Sequence, residues 1–381
     1  MTHEEKLVFL FCDKLNPMKQ LTKLLMILAI GILCCRCTQK RSRIIGVKIY
    51  EYNGNYNALA GLWKEMGINT AFISTSLAAN GVFRNALKKN NISVFVIFPV
   101  FQNPVLLKQD TSLYAITSKG LKAKDDWVEF VCPSRQSYRN SKINEIAELI
   151  RNLRPDGISI DFIRQFVFWE MIYPDREPGS IDRACFCDSC ITEFSRLEAI
   201  SFSDSCLTTL QKANYVALNY SDSWDAYRCN LITTMVKELA EKAREIQQDL
   251  KICIHAVPWR EGEFEGANIR VAAQDLHKIS SYTDYISPMC YSQMLKRDAD
   301  WIAGVVDDMD KSAIGKVLPS IQVSPYYINR PYTKEDFRKC IEKALEPPSQ
   351  GVVFFSWPLF EKDPSRIEVV REAVASDLHH Q

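Results

Sequence analysis

The sequence has no excess of charge of either sign: 47 Lys and Arg stand against 46 Asp and Glu. Without a positive surplus the chain has no general electrostatic grip on a polyanion, so nucleic acid is not an expected partner. Histidine is scarce, with five in 381 residues. His255 is the one histidine within an expected strand and has no second histidine near it, so a histidine-built metal centre of the lyase or deacetylase kind lacks its ligands. No G-x-G-x-x-G follows the first expected strand in "YEYNGNYNAL", which argues against a dinucleotide-binding open sheet. The G-x-S-x-G elbow, the H-E-x-x-H helix and the Walker loop are missing too, and with them the usual serine hydrolase, zinc protease and NTPase readings. There is also no internal repeat and no low-complexity linker.

What is present begins with an address. Lys19 and Lys23 precede "LLMILAIGILCC", an apolar run of about a dozen residues that fits the h-region of a secretory signal and is short for a membrane span. Met18 lies just before this unit, so residues 1–17 read as an upstream start, with Leu7 to Phe11 the alternative of a genuine extension. Cys34, Cys35 and Cys37 followed by Thr38 and Gln39 resemble the end of a bacterial lipoprotein signal. That resemblance implies export to the periplasm or cell surface and a lipid anchor; an ordinary cleaved signal is the competing reading. Residues 1–37 are therefore expected to be leader and 38–381 a single domain.

Beyond position 43, short β-branched and aromatic runs alternate with helical periodicity. Strands are expected at 44–52, 70–75, 93–101, 157–163, 251–259, 284–291, 317–324 and 351–357. Most are apolar on both faces, as parallel strands covered by helices must be. Ile143, Ile146, Ile150 and Leu153 mark one helix, and Ile232, Val236, Leu239, Ala243 and Ile246 a longer one. Thr333 with Asp336 predicts an N-cap. Eight such units in about 330 residues are the arithmetic of an α/β fold of the (β/α)8 (TIM barrel) kind, with a doubly wound sheet as runner-up. Long loops are expected after strands 3 and 4, over 102–136 and 165–224, at the face where such barrels build their sites.

The chemistry concentrates in "DGISIDFIR", residues 156–164. Strand alternation puts Ile158 and Ile160 on one face and Ser159 and Asp161 on the other, with Asp161 near the strand's C-terminal end. A structural aspartate that caps the next loop is the plainer alternative. Arg164 can hold Asp161 ionised or serve as a rim ion-pair partner.

This stretch resembles the fourth-strand motif of several glycoside hydrolase-like (β/α)8 families, in which it places a catalytic carboxylate; the resemblance implies that role for Asp161. It is similar also to the chitinase-type strand, where Asp156, Gly157 and Asp161 match while Ser159 replaces the middle Asp and Ile163 the proton-donating Glu. "SPMCYSQ", through Met289 and Tyr291, and "FFSW", through Trp357, resemble later chitinase strands. Glycosidic cleavage needs a second carboxyl group. Glu261 in "VPWREGEFEG" is preferred, with Glu263, Glu170 and Glu51 as alternatives; a solvated loop is the competing reading of that acidic run.

Tyr50, Glu51, Arg164, His255, Trp259, Tyr291 and Trp357 are the expected substrate contacts. Aromatic rings with polar tips suit pyranose faces as well as core filling. His255 is read either as a donor to a substrate hydroxyl or as a core histidine.

"CFCDSCITEF" supplies Cys185, Cys187 and Cys190. C-x-C-x-x-C can place three thiolates around one ion, and Cys132 in the preceding loop is the natural fourth ligand of a closed structural zinc site. The cluster resembles the one that some barrel β-galactosidases carry after strand 4. Disulfides, with Cys206 and Cys229 as further partners, are the alternative in an oxidising compartment. The expected function is glycoside hydrolysis of an oligo- or polysaccharide without a catalytic cofactor. The alternative is a non-catalytic carbohydrate-binding surface lipoprotein on the same barrel.

Overall fold

A computed structural model describes residues 43–203 and 208–380. The expected leader, its cysteines and Cys206 lie outside the described residues. Among the described residues, no helix is long and apolar enough to cross a membrane.

Eight parallel strands form one sheet: β1 (Ile44–Ile49), β2 (Thr70–Ile73), β3 (Ser93–Pro99), β4 (Gly157–Asp161), β5 (Lys251–Ala256), β6 (Tyr285–Pro288), β7 (Ser320–Gln322) and β8 (Gly351–Phe355). Each pairs with its neighbour in sequence, and β8 returns to pair with β1, Ile44 opposite Gly351. Parallel bridges Ile286–Val317 and Met289–Ser320 bring β6 and β7 together, with the Leu318 amide donating to the Ile286 carbonyl at 2.8 Å. The sheet is thereby a (β/α)8 barrel, with the helices outside.

The strand period of two sorts side chains into two cores. Ile45, Val47, Ile158, Ile160, Ile252 and Ile254 join the large apolar layer beneath the helices. Phe72, Phe95, Ile97, Cys253, Tyr285, Leu318 and Val353 fill the barrel's interior. Two glycines make this closure sterically feasible. A Cβ on Gly157 would stand 2.4 Å from the Phe95 ring, so only glycine leaves room for the Phe72–Phe95 pair, 5.1 Å between centroids, that plugs the lower barrel. Gly351 has φ +140°, and a Cβ there would meet the Ile44 carbonyl oxygen at 1.9 Å, on the seam that joins β8 to β1. Asp156 is a staple: its Oδ2 accepts from the Val94 amide at 2.7 Å and locks the entry of β4 to β3.

The long helix Ser221–Ile246 packs against Gln136–Leu153, and both sit where their apolar periodicity predicts. Thr333 and Asp336 make a reciprocal capping box: the Thr333 amide donates to Asp336 at 2.8 Å and the Asp336 amide to Thr333 at 3.1 Å.

The extra length lies in the two expected excursions at the strands' C-terminal ends. After β3, helix Pro104–Gln109 leads to a two-stranded ribbon, Lys124–Asp125 with Val128–Glu129. After β4 come two short 3-10 turns, Trp169–Met171 and Pro178–Ser180, then helices Asp188–Leu197 and Thr209–Asn219. Arg228, fully buried, fixes this second excursion: it donates to the carbonyls of Ala184 (2.6 Å), Arg270 (2.7 Å) and Val271 (2.9 Å) and pairs with Asp225 (3.1 Å), which also pairs with Arg183. A buried guanidinium with its donors so occupied offsets its desolvation.

Candidate active site

A cavity of about 490 Å³ opens at the C-terminal end of the barrel. The ends of β1, β4, β6, β7 and β8 reach it through Lys48, Asp161, Met289, Tyr326 and Phe355 or the residues that follow them.

Asp161 lines the cavity at 7% exposure, neither shut in hydrocarbon nor turned to the opposite end. Its Oδ1 accepts from the Phe162 amide at 2.8 Å. Phe162 itself has φ 51°, a left-handed conformation costly for a bulky residue. That turn ends the strand and carries the chain along the rim, so the next residues with chemistry, Arg164 and Glu170, enter the same cavity.

Glu170 is the second carboxyl in this cavity. It lies in the turn Trp169–Met171, buried, and its Oε2 has no hydrogen-bond partner among the described residues. Burial pushes its carboxyl up to about 7; the Arg164 charge opposes that rise and the Asp161 carboxylate adds to it. Arg164, 2% exposed, donates to the Val167 carbonyl at 2.8 Å and the Gln165 carbonyl at 3.2 Å, and its guanidinium lies 4.8 Å from the Phe130 ring centre. Burial lowers it to about 10, with Glu170 and Asp161 pulling the other way, so it remains a cation at neutral pH. It therefore faces both carboxyls as a fixed positive charge.

The preferred partner, Glu261, is elsewhere. It is exposed, does not line the cavity and lies in a separate surface depression with His277 and Asp308. The reason is the loop's anchoring. The Glu261 amide donates to Asp308 at 2.6 Å, and Glu263 binds both Arg260 (3.3 Å) and Arg297 (2.5 Å), which turns the acidic run toward the outer helix Asp300–Asp310. Glu51 is exposed and also outside the cavity lining.

Of the expected contacts, Tyr50, Arg164 and Tyr291 line the cavity. Trp259 and Trp357 do not. Trp259 is buried against Phe264 and holds Asn268 through its carbonyl, and Trp357 packs on Trp63 and Phe360. Both are core residues beyond their strands' ends: Trp259 lies in the loop after β5, and Trp357 opens the helix Trp357–Lys362. His255 lies one layer below the cavity. Its Nε2 is 2.7 Å from the Ser159 hydroxyl and its Nδ1 3.3 Å from the Lys48 amine. Burial and the Lys48 charge hold it down to about 3, hence neutral. An acceptor role for Nδ1 toward Lys48 then leaves Nε2 as the N–H that faces Ser159.

Lys48, Trp127, Phe162, Trp169, Met294, Phe355 and Lys362 line the cavity without having been singled out from sequence. Lys48 carried a readable signal: it is the one charge inside "IIGVKI", on the same parity as Ile44, at 1% exposure. Burial lowers its amine and the Asp161 carboxylate raises it.

Cys132, Cys185, Cys187 and Cys190 converge as one buried cluster whose sulfurs all lie within 4.8 Å of one another. The Cys132 sulfur stands 3.4 Å from that of Cys187 and 3.5 Å from that of Cys190. A tetrahedron with Zn–S bonds of about 2.3 Å has edges of about 3.8 Å, whereas a disulfide needs about 2.0 Å. The Ile116 amide donates to the Cys185 sulfur at 3.3 Å, a contact suited to a thiolate. The donor set fits zinc. All eight described cysteines are free, and Cys229 lies against the Ile269 carbonyl.

No protein-family model matches the chain, and no curated protein sequence matches it. Solved structures do. The glycoside hydrolase domain of PgaB (BpsB) from Bordetella bronchiseptica superposes with TM-score 0.66 at 10% identity, over 87% of this chain and 98% of that one. The chain has the glycoside hydrolase-like (β/α)8 fold. The β-galactosidase from Marinomonas ef1 gives TM-score 0.57 at 13% identity over 82% of this chain, and α-L-fucosidase isoenzyme 2 from Paenibacillus thiaminolyticus gives 0.58 at 10% over 88%. The chain spans 54% and 49% of those two longer proteins.

Proposed function

We propose that the protein hydrolyses O-glycosidic bonds, with Glu170 as general acid and Asp161 as the carboxylate that acts on the anomeric carbon or on a water. The observation that carries this reading is the pair of unlike carboxyls in one cavity. Glu170, pushed up to about 7, holds a proton to give to a leaving oxygen. Asp161 sits at a strand end in the same cavity, where the Phe162 amide donates to its Oδ1 and the buried Arg164 cation lines the wall. A carboxyl raised by burial beside a second carboxyl in one cavity is an arrangement that glycoside cleavage uses.

The walls suit a sugar. Tyr50, Trp127, Phe162, Trp169, Tyr291, Tyr326, Tyr327 and Phe355 provide apolar ring faces, and Lys48 and Arg164 provide donors. The carbohydrate class is supported by these rings and by the shared fold. The four thiolates would hold zinc as a closed structural site with no open position, remote in role from the reaction. The leader pattern supports export and lipid anchoring as the setting.

The test is a screen of purified protein, with and without Asp161→Asn, against plant, host and bacterial glycans. Cleavage by the wild type that is lost in the variant supports the reading. Equal cleavage by both removes Asp161 from the mechanism. Binding without cleavage favours the alternative of a carbohydrate-binding barrel, to which Ile163 lends weight: it occupies the expected position of the acid and is fully buried.

A further inference from the structure

Trp127 sits in the ribbon of the excursion after β3, and Tyr327 in the loop after β7. In the ring order, three strands lie between β3 and β7 in either direction, so the two loops rise from opposite sides of the mouth. Trp127 Nε1 nevertheless donates to the Tyr327 hydroxyl, 200 residues away in sequence. The contact is braced on both sides. The Trp127 ring meets Phe162 edge-on at 5.9 Å, and Tyr327 meets Phe168 at 5.9 Å and Tyr326 at 4.8 Å. Both residues line the cavity, while 44% of Trp127 and 38% of Tyr327 remain exposed. They form a span with one face toward the cavity and the other toward solvent.

A spanned mouth discriminates between ways of presenting a polymer. An open groove accepts the middle of a glycan laid in from above, with both flanks running out to solvent. A span in that path blocks the approach, and only a free end can pass beneath it. The volume, about 490 Å³, falls in the range of pockets for small ligands rather than extended chains.

We propose that the protein acts at chain ends, removing terminal sugars from a glycan, and that the Trp127–Tyr327 span imposes this limit. The proposal rests on the glycosidase reading above and adds the mode of attack. Neither side chain is assigned a part in bond cleavage; they are specificity determinants.

The experiment uses arabinogalactan, xylan, xyloglucan, chitosan, dextran and pectin, each as soluble polymer and as crosslinked dyed granules. Granules release dye only on internal cuts, whereas soluble polymer yields reducing sugar from either mode. The full chain is compared with Tyr327→Phe, which removes the hydroxyl but keeps the ring on Phe168, and with the double variant Trp127→Ala, Tyr327→Ala. The wild type is expected to release reducing sugar from at least one polymer as terminal units, with dye at background. The double variant is expected to raise dye release from that polymer several-fold, and Tyr327→Phe to raise it less. If the double variant fails to fold, as judged by circular dichroism, the comparison of Tyr327→Phe with wild type decides. Internal fragments or dye from the wild type at the outset would overturn the end-acting proposal and leave the glycosidase reading standing. Folded variants that stay end-acting would overturn the assignment to Trp127 and Tyr327. Cleavage of none of the polymers counts against the reading beneath the proposal and removes both.

Discussion

Glu170 and Arg164 lie in the same rim segment after β4 and face one cavity, the carboxyl raised by burial and the guanidinium working against that rise. The balance leaves a protonatable acid near neutrality beside a permanent cation. Much of the site's expected behaviour follows from that relationship.

Glu170→Gln should lower kcat on an unactivated glycoside by about 10²- to 10⁴-fold. A general acid must be protonated, so wild-type activity should fall as pH rises through about 7. The variant should lose that basic limb. A pH–rate profile of both proteins checks this, and an unchanged limb in the variant would assign it to another group.

The same carboxyl should mark stability. Its folded value, about 7, lies above the ordinary 4.5, so folding binds the proton more tightly than the unfolded chain does. Its contribution is complete below about 4.5 and is lost as pH rises through about 7, on the order of 3 kcal/mol in all. Denaturant titrations across pH 4 to 9 should show a loss in the wild type that Glu170→Gln lacks.

Cys187→Ser should remove one of four converging ligands. Metal analysis is expected to find about one zinc per chain in the wild type and a large deficit in the variant. Thermal unfolding should shift downward both in the variant and after chelation of the wild type, because binding at such a site contributes to folding. Absence of zinc from the wild type would end the metal reading.

Gly351→Ala should destabilise the barrel by more than about 3 kcal/mol, since the new methyl would collide with the Ile44 carbonyl at a φ of +140°. Gly61→Ala is the control: the position is helical and a Cβ there meets nothing within 4 Å. Denaturant midpoints of the two variants give the comparison.

The eight strands were legible because burial on both faces leaves apolar runs that polar turns interrupt. Each expected run over-reached, however, at its C-terminal end. Strand 1 was expected to reach Tyr52 and ends at Ile49; strand 5 was expected to reach Trp259 and ends at Ala256. The hydrophobicity past those ends belongs to loops that fold back over the barrel, and the sequence has the same composition whether an aromatic residue continues a strand or seals a loop. Trp259 and Trp357 were misplaced for that reason.

The place of Asp161 at a strand's C-terminal end was legible from strand parity, and its proposed role from the motif resemblance. The second carboxyl of the cavity was not legible. Glu261 and Glu170 both follow strands with tryptophan beside them, and what separates them is burial set by distant residues, Asp308 and Arg297 for the one and the Phe162 turn for the other. The cysteine cluster was readable because C-x-C-x-x-C fixes three sulfurs locally. The fourth, from Cys132, followed from the adjacency of β3 and β4.

That cluster has a consequence for the cavity. Cys132 lies just beyond the ribbon that presents Trp127, and Cys185 to Cys190 end the stretch that delivers Glu170. A single knot of sulfur thus tethers the loop that carries Trp127 to the segment that carries Glu170. Under the proposed function, chemistry that loosens it, whether oxidation or loss of a bound metal, would disturb both the passage beside Trp127 and the proton transfer from Glu170 in one stroke.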